Sequence, residues 1–222
     1  QRHKVTSIPT GVDPQRLVPR ISVAEMRRRW HMQDGQKALV FLGRVAPEKN
    51  PIAVARLVGA LNKMGHAEWR GILVGPEGPA KFNTLGYVPD SEGLSEEIAP
   101  GLVQFAGATN DVGSVFAAAD HMILPSFIEG NSIALLEMWA AGKPVLATPV
   151  GFVAHEHPDL VRPIQPYAMG WELAQALIAD LEDPQGTAER VRRAREITLA
   201  NYTWEAIGQR WTDHIVSLAG VG

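Results

Sequence analysis

The chain contains no cysteine. Disulfides and thiolate metal sites are excluded, although compartment does not follow from that alone. No apolar run approaches the roughly 20 residues a helix needs to span a bilayer. The opening residues, QRHKVTSIPTG, lack the apolar stretch of a signal peptide and do not begin with Met, so they read as the interior of a longer chain. There is no internal repeat and no low-complexity tract. A net charge of −3 leaves no electrostatic case for nucleic acid as a partner. No G-x-G-x-x-G follows any apolar run, so the dinucleotide-binding fingerprint is missing.

What the chain does have is alternation. With 222 residues, 45% of them hydrophobic, it can bury a sizeable core. Ala38-Leu39-Val40-Phe41-Leu42 is a short continuous apolar run, the pattern of a strand buried on both faces. Comparable runs at 71–74, 102–105, 121–124 and 145–148, with a short edge strand at 160–164, make six strands after residue 37. Helices are expected between them: 51–64 with Pro51 in its first turn, 111–119 with Asp111 as N-cap, and 132–141. A short acidic helix is expected within 89–99, and helices at 170–182, 185–200 and 203–218 close the chain. Ahead of the first strand, residues 5–8 have strand character and Pro9-Thr10-Gly11 is turn chemistry. A helix over 21–32 would put Val23, Met26 and Trp30 on one face, opposite Arg27, Arg28 and Arg29. Those arginines read as a solvated face, with a phosphate or anionic-membrane patch as the alternative. Strands alternating with helices imply an α/β fold: a Rossmann-like, doubly wound parallel sheet of about six strands with C-terminal helices. Ligands in such sheets bind outside the carboxyl ends of the strands.

Residues 126–148, SFIEGNSIALLEMWAAGKPVLAT, pose an energetic problem. The expected helix is apolar almost all the way round, and such a helix is buried. Glu137 sits in its middle, and a buried carboxylate without a partner costs several kcal/mol. Either the fold or a ligand must supply that partner. Three loops converge at the carboxyl edge: residues 43–50 (GRVAPEKN), 75–79 (GPEGP) and 126–132. They bring Arg44, Lys49, several glycines and the positive end of a helix to one place, which describes a phosphate or diphosphate site. Taken singly, Arg44 or Lys49 is an ordinary surface cation, Glu129 a loop carboxylate, and a glycine after a strand only a turn. Gly142-Lys143-Pro144 is a helix stop. Co-occurrence at one sheet edge favours the site.

Glu129 and Glu137 form an E-x7-E element that resembles the donor-site motif of the GT-B retaining glycosyltransferases, the glycosyl transferases group 1 or family 4 class. PSFIEGNSIALLEMWAAGKPVLATPVG, GRVAPEKN, ILVGPEGP, ATNDVGSVFAAADHMILPS and the tail AREITLANYTWEAIGQRW are similar to successive motifs of that family, over roughly residues 5–218. The resemblance implies one half of a GT-B fold, the C-terminal, donor-binding domain. Residues 1–20, with VTSIPTGVD, would be the crossover between domains; 21–182 the nucleotide-sugar-binding domain; 183–222 the C-terminal helices. It implies that Arg44 and Lys49 neutralise the donor's diphosphate and that Glu129 approaches the sugar hydroxyls. Glu137 would take the nucleotide ribose, a role that suits an acceptor-only carboxylate facing a vicinal diol. Gly130, Asn131 and Ser132 would bind sugar and phosphate through backbone amides, and Gly43 and Gly75 would line the donor site. Glu129, Arg44 and Lys49 would form the catalytic group. The implied activity is sugar transfer from a nucleotide-diphosphate sugar to a sugar, lipid or other hydroxyl acceptor bound mainly by the missing N-terminal domain. No cofactor and no metal is expected, and the expected location is the cytoplasm or the inner face of the membrane.

The sequence departs from the family at two places. Gly151 is followed by Phe152 where the family commonly has a second glycine, and Ala154 to Val161 replace a Glu- and Gly-rich turn. His155 and His157 with Glu156 and Asp159 offer metal-ligand chemistry, but two histidines do not complete the usual ligand count. A non-catalytic nucleotide-sugar-binding module is the alternative from another class. A GT-B-like sugar-nucleotide epimerase or a phosphorylase is the alternative among enzymes.

Overall fold

The structure, a computed structural model, describes residues 6–76 and 96–219. Six parallel strands form one sheet: β1 (Lys37–Leu42), β2 (Trp69–Val74), β3 (Val103–Gly107), β4 (His121–Leu124), β5 (Val145–Ala147) and β6 (Arg162–Pro163). Their spatial order is β3-β2-β1-β4-β5-β6. The eight helices of the described residues used below are α1 (Val23–Arg29), α2 (Ile52–Lys63), α3 (Val112–Ala118), α4 (Ile133–Ala140), α5 (Phe152–Glu156), α6 (Gly170–Glu182), α7 (Pro184–Asn201) and α8 (Trp204–Ala219).

The apolar strand runs follow from burial on both faces. Leu39, Phe41, Leu73 and Ile123 point to one side, where α2 (Ile52, Val54, Leu57, Leu61) and α6 (Leu173, Leu177) cover them. Val40, Leu42, Ile72, Val74, Met122 and Leu124 point to the other, beneath α3 (Val115, Phe116), α4 (Leu135, Leu136, Met138, Trp139) and α7 (Ala194). Period-two alternation therefore separates two cores rather than a core from solvent. Helix α4 lies between the sheet and α7, which explains its all-round apolar surface. β6 is a two-residue edge strand, a position where Pro163 costs no ladder hydrogen bond.

The start of the chain differs from expectation. Residues 6–8 form no strand, and Val5 lies outside the described residues. Val12 makes the sheet-like contact instead. Its N–H donates to Tyr202 O at 2.7 Å and its carbonyl accepts from Trp204 N at 3.2 Å. A 3-10 turn, Pro14–Leu17, follows Asp13, whose carboxylate accepts from Gln15 N. The hydroxyl of Ser114 on α3 then accepts from the N–H groups of Arg20 and Ile21, at 2.9 and 3.0 Å. This strap is thus tied to both α8 and α3. Helix α1 is shorter than the expected 21–32 because Ser22 caps it, with Oγ 3.1 Å from Glu25 N, and because Trp30 and His31 leave helical geometry. Met26 and Trp30 are buried but Val23 is exposed. Arg27 reaches Ala118 O and the Asp120 carboxylate, while Arg28 and Arg29 pair with Glu25, so the three cations are satisfied within the molecule. Most of the expected acidic helix in 89–99, and residues 77–79 of the second loop, lie outside the described residues. No helix among the described residues is long and apolar enough to cross a membrane.

Candidate functional site

The chain leaves β1 toward β2 on one side and β4 toward β5 on the other, so the loops after β1 and β4 diverge at the carboxyl edge. On the β1 side, Gly43 N–H donates to Val74 O and Gly75 N–H to Gly107 O, each at 2.9 Å. Gly75 adopts φ +151, and a Cβ there would stand 1.8 Å from Gly43 O. Only glycine lets these strand ends approach so closely. Gly43 and Gly75 therefore pack tightly against each other on the β1–β2 side of the crevice where those loops diverge.

Past Gly43, a 3-10 turn (Pro47–Lys49) ends at Asn50, which is buried in the left-handed conformation that asparagine tolerates. Its Nδ2 donates to Pro125 O at 3.2 Å and to Pro166 O at 3.0 Å. Phe127 N–H donates to Glu48 O at 2.9 Å. One asparagine and one amide thus join the loops after β1, β4 and β6.

That stitching brings Lys49 to Glu129. Lys49 Nζ and Ser126 Oγ both donate to Glu129 Oε1 at 2.7 Å, and the Glu129 side chain is only 6% exposed. Gly151, at φ +82, packs over it: a Cβ at 151 would lie 2.8 Å from Glu129 Cβ. Phe152 N–H donates to Gly130 O at 2.9 Å, so the replacement of the family's second glycine by Phe152 becomes the start of α5. Arg44 is placed differently. It pairs with Glu48 in its own loop and is nearly half exposed.

Helix α4 begins at the crevice. Ser132 Oγ accepts from Leu135 N at 3.3 Å, and Asn131 Nδ2 donates to Thr10 Oγ1 of the strap at 2.6 Å. The side chains of both residues are thus engaged by the fold. The N–H groups of Gly130, Asn131 and Ser132 donate to nothing among the described residues. Space above Gly130 is open, with no atom within 4 Å of where a Cβ would stand. Free amides at the positive end of a helix are what an anion needs.

Glu137 stands one and a half turns into α4, with its side chain 8% exposed. Burial pushes its carboxyl above the usual range, and Arg16 opposes that shift. Arg16 Nη1 lies 3.5 Å from Glu137 Oε1, while its own side chain is 57% exposed. The fold thus supplies one partner, a long cation at the solvent boundary. Among the described residues around the crevice, three cations are each held by a carboxylate: Arg44 by Glu48, Lys49 by Glu129 and Arg16 by Glu137.

Asn50 and Ser126 lay within motifs read from the sequence but had no assigned role. An asparagine after a strand-end loop is a signal for left-handed backbone. Arg16 had no signal at all, because nothing local to a D-P-Q-R-L turn places it against a helix so far along the chain. Of the histidine pair, His157 takes a structural role. His157 Nε2 is 2.9 Å from the Tyr202 hydroxyl and its ring meets Trp139 edge-on, while Asp159 pairs with Arg193. Among the described residues, no group of three or more His, Asp or Glu is placed to hold a metal ion.

The sequence pattern of the family "Glycosyl transferases group 1" matches residues 36–194, which includes both loop motifs and all of α4. The chain belongs to the group 1 glycosyltransferases. It is 34% identical over 154 residues to a D-inositol 3-phosphate glycosyltransferase of Stackebrandtia nassauensis, covering 67% of this chain and 34% of that one. It is 27% identical over 198 residues to a 2-deoxystreptamine glucosyltransferase of Streptomyces kanamyceticus, covering 85% and 48%. The chain therefore spans between a third and a half of these relatives. In fold it is similar to Anabaena HepE in complex with UDP (TM-score 0.77, 23% identity, 93% of this chain and 56% of that one). It is also similar to the C-terminal domain of a group 1 glycosyl transferase from Francisella tularensis (TM-score 0.66, 18% identity), covering 87% of this chain and 99% of that domain. The architecture is thus the Rossmann-like half of a GT-B glycosyltransferase.

Proposed function

We propose that this chain is the donor-binding half of a retaining glycosyltransferase, which takes a sugar from a nucleotide-diphosphate sugar and passes it to a hydroxyl acceptor. The observation that carries the reading is the start of α4. Free amides of Gly130, Asn131 and Ser132 stand beside the Lys49–Glu129 pair, with Glu137 buried further along the same helix. The HepE structures with UDP and UDP-glucose support a nucleotide sugar as the ligand of this architecture. Residues 1–20 would serve as the crossover from a preceding acceptor-binding domain, residues 21–182 as the donor domain and residues 183–222 as closing helices.

In this proposal the leaving diphosphate is met by charge and dipole. Arg44, Lys49 and the α4 amides stabilise the negative charge that develops as the glycosidic bond lengthens. Lys49 has three donors, so it can keep Glu129 and still meet a phosphate oxygen. Glu129 Oε2 has no partner among the described residues and is free to accept from sugar hydroxyls. Glu129 thereby positions the sugar and lies near the oxocarbenium-like centre. The acceptor hydroxyl attacks the anomeric carbon from the face the diphosphate leaves, the bond to the diphosphate oxygen breaks, and the hydroxyl proton passes to that departing phosphate oxygen. The diphosphate's charge is met here by side-chain cations and amides, without a metal step. Glu137, with a carboxylate that can accept from both hydroxyls of a vicinal diol, holds the ribose.

The test is transfer of labelled sugar by the full-length parent. Glu129→Gln should lower kcat by at least tenfold with the donor KM little changed. Unchanged kcat would remove Glu129 from the reaction. Nucleotide-sugar binding with no transfer by the unaltered parent would make the protein a binding module.

A further inference from the structure

Among the described residues, Arg16 is the one cation of the crevice that comes from the segment ahead of α1 rather than from the loops after the strands. It sits on the strap before α1, in the 3-10 turn Pro14–Leu17, and its guanidinium reaches across to helix α4. The strap is not loosely placed. Val12 is bonded to Tyr202 and Trp204, Thr10 accepts from Asn131, and Ser114 accepts from Arg20 and Ile21. Arg16 is therefore delivered by a segment anchored on both sides of it. It meets only Oε1 of Glu137, so Oε2 has no partner among the described residues.

We propose that Arg16 is a positioning residue for the nucleotide, holding the Glu137 carboxylate ionised and oriented so that its open lone pairs accept the ribose diol. This rests on the donor-binding reading given above. A protonated Glu137 would offer a donor where two hydroxyls need acceptors. Burial favours that protonated form, and a cation within about 4–6 Å opposes it. The remaining neighbours do not substitute for Arg16. On α7, Arg195 is committed to Ala140 O at the far end of α4. His157, after α5, is spent on Tyr202 against Trp139. Asp13, in the same strap, caps Gln15 N. Arg16 is the charge that acts on Glu137 among the described residues. Because Arg16 is half exposed, its hold is weaker than that of a buried pair and leaves the carboxylate able to turn to a ligand.

The experiment is calorimetric titration of UDP-glucose, GDP-mannose and ADP-glucose against the wild type, Arg16→Gln and Arg16→Lys, from pH 8 to pH 5. A diphosphate ester keeps its charge through this range, so the ligand does not titrate. The wild type should bind one donor with nearly constant affinity over most of the range. Arg16→Gln should bind it several-fold more weakly at pH 8 and lose a further fivefold or more on acidification. Arg16→Lys should restore most of the wild-type profile. In parallel, carbon NMR of glutamate-labelled protein should show the Glu137 carboxyl titrating higher in Arg16→Gln, a readout independent of any nucleotide. An Arg16→Gln profile superimposable on the wild type, with Glu137 titrating unchanged, would overturn the role of Arg16 and leave donor binding standing. Absence of binding by the wild type to all three donors would overturn the donor reading and this role with it.

Discussion

Asp180 and Glu137 are both buried carboxylates on helices that cover the sheet, yet their surroundings differ in kind. Asp180, near the end of α6, lies at the amino edge of the sheet. Its Oδ1 accepts from Arg162 Nε at 2.6 Å and from Arg190 Nη2, and its Oδ2 faces His121 Nε2 at 3.1 Å. Burial pushes its carboxyl up, but His121, Arg162 and Arg190 outweigh burial and bring it down to about 2. Glu137, on the carboxyl-edge helix, has one partner at 3.5 Å, more than half exposed, and burial wins. The Asp180 carboxylate is held by two arginines of the fold through Oδ1, while Oδ2 stands buried against His121 without a hydrogen bond of good geometry. Glu137, the carboxylate proposed to meet a ligand, is left with capacity. Perturbed carboxylates mark functional sites only probabilistically, and the direction of the shift separates these two.

The largest expected effect tests the structural half of that contrast. Asp180→Ala leaves Arg162 and Arg190 without their shared acceptor and should cost about 3–5 kcal/mol of unfolding free energy in urea. Glu137→Gln removes a poorly compensated charge and should leave stability unchanged or raise it. Equal losses in the two variants would break the comparison.

A smaller effect appears in acid, and its sign differs at the two sites. Asp180 has a folded pKa of about 2 against an ordinary 3.8. It therefore contributes about 2 kcal/mol of stability above pH 4, lost as pH falls from about 4 through about 2. Glu137 has a folded pKa above its ordinary 4.5. Its contribution has the opposite sign: acidification through that raised pKa relieves a cost. Stability against pH should thus lose its lower limb in Asp180→Asn and keep it in Glu137→Gln, measured by chemical denaturation at each pH. Loss of the same limb in both variants would show that the two carboxylates are not distinguished by their partners.

The fold was legible because its signals are local. Burial on both faces writes itself as Leu39 to Leu42 and Ile72 to Val74, and Asp111 announces the helix it caps. Glu137 was legible as a problem, since a carboxylate in an apolar helix violates the pattern around it. What stayed hidden depends on distant segments meeting. Arg16 reaches Glu137 only because Val12 pairs with Tyr202 and Trp204, and no turn composition encodes that. The Lys49–Glu129 pair depends on Asn50 clamping two prolyl carbonyls from other loops. The assignment of Lys49 to diphosphate came from its charge at a shared sheet edge and from the family resemblance, and neither signalled the carboxylate that the structure gives Lys49 to hold. His121 and Asp180 gave no sign of each other, one opening a short strand and the other ending an amphipathic helix.

The central claim, that Glu137 receives a ribose diol, is tested most directly by a two-by-two calorimetric titration. UDP and 2′-deoxy-UDP are titrated against the wild type and Glu137→Gln. A hydrogen bond to a charged group contributes about 1.5–3 kcal/mol. Loss of the 2′-hydroxyl should therefore weaken binding to the wild type by about tenfold or more, and should weaken binding to Glu137→Gln far less. The same penalty in both proteins would contradict the account.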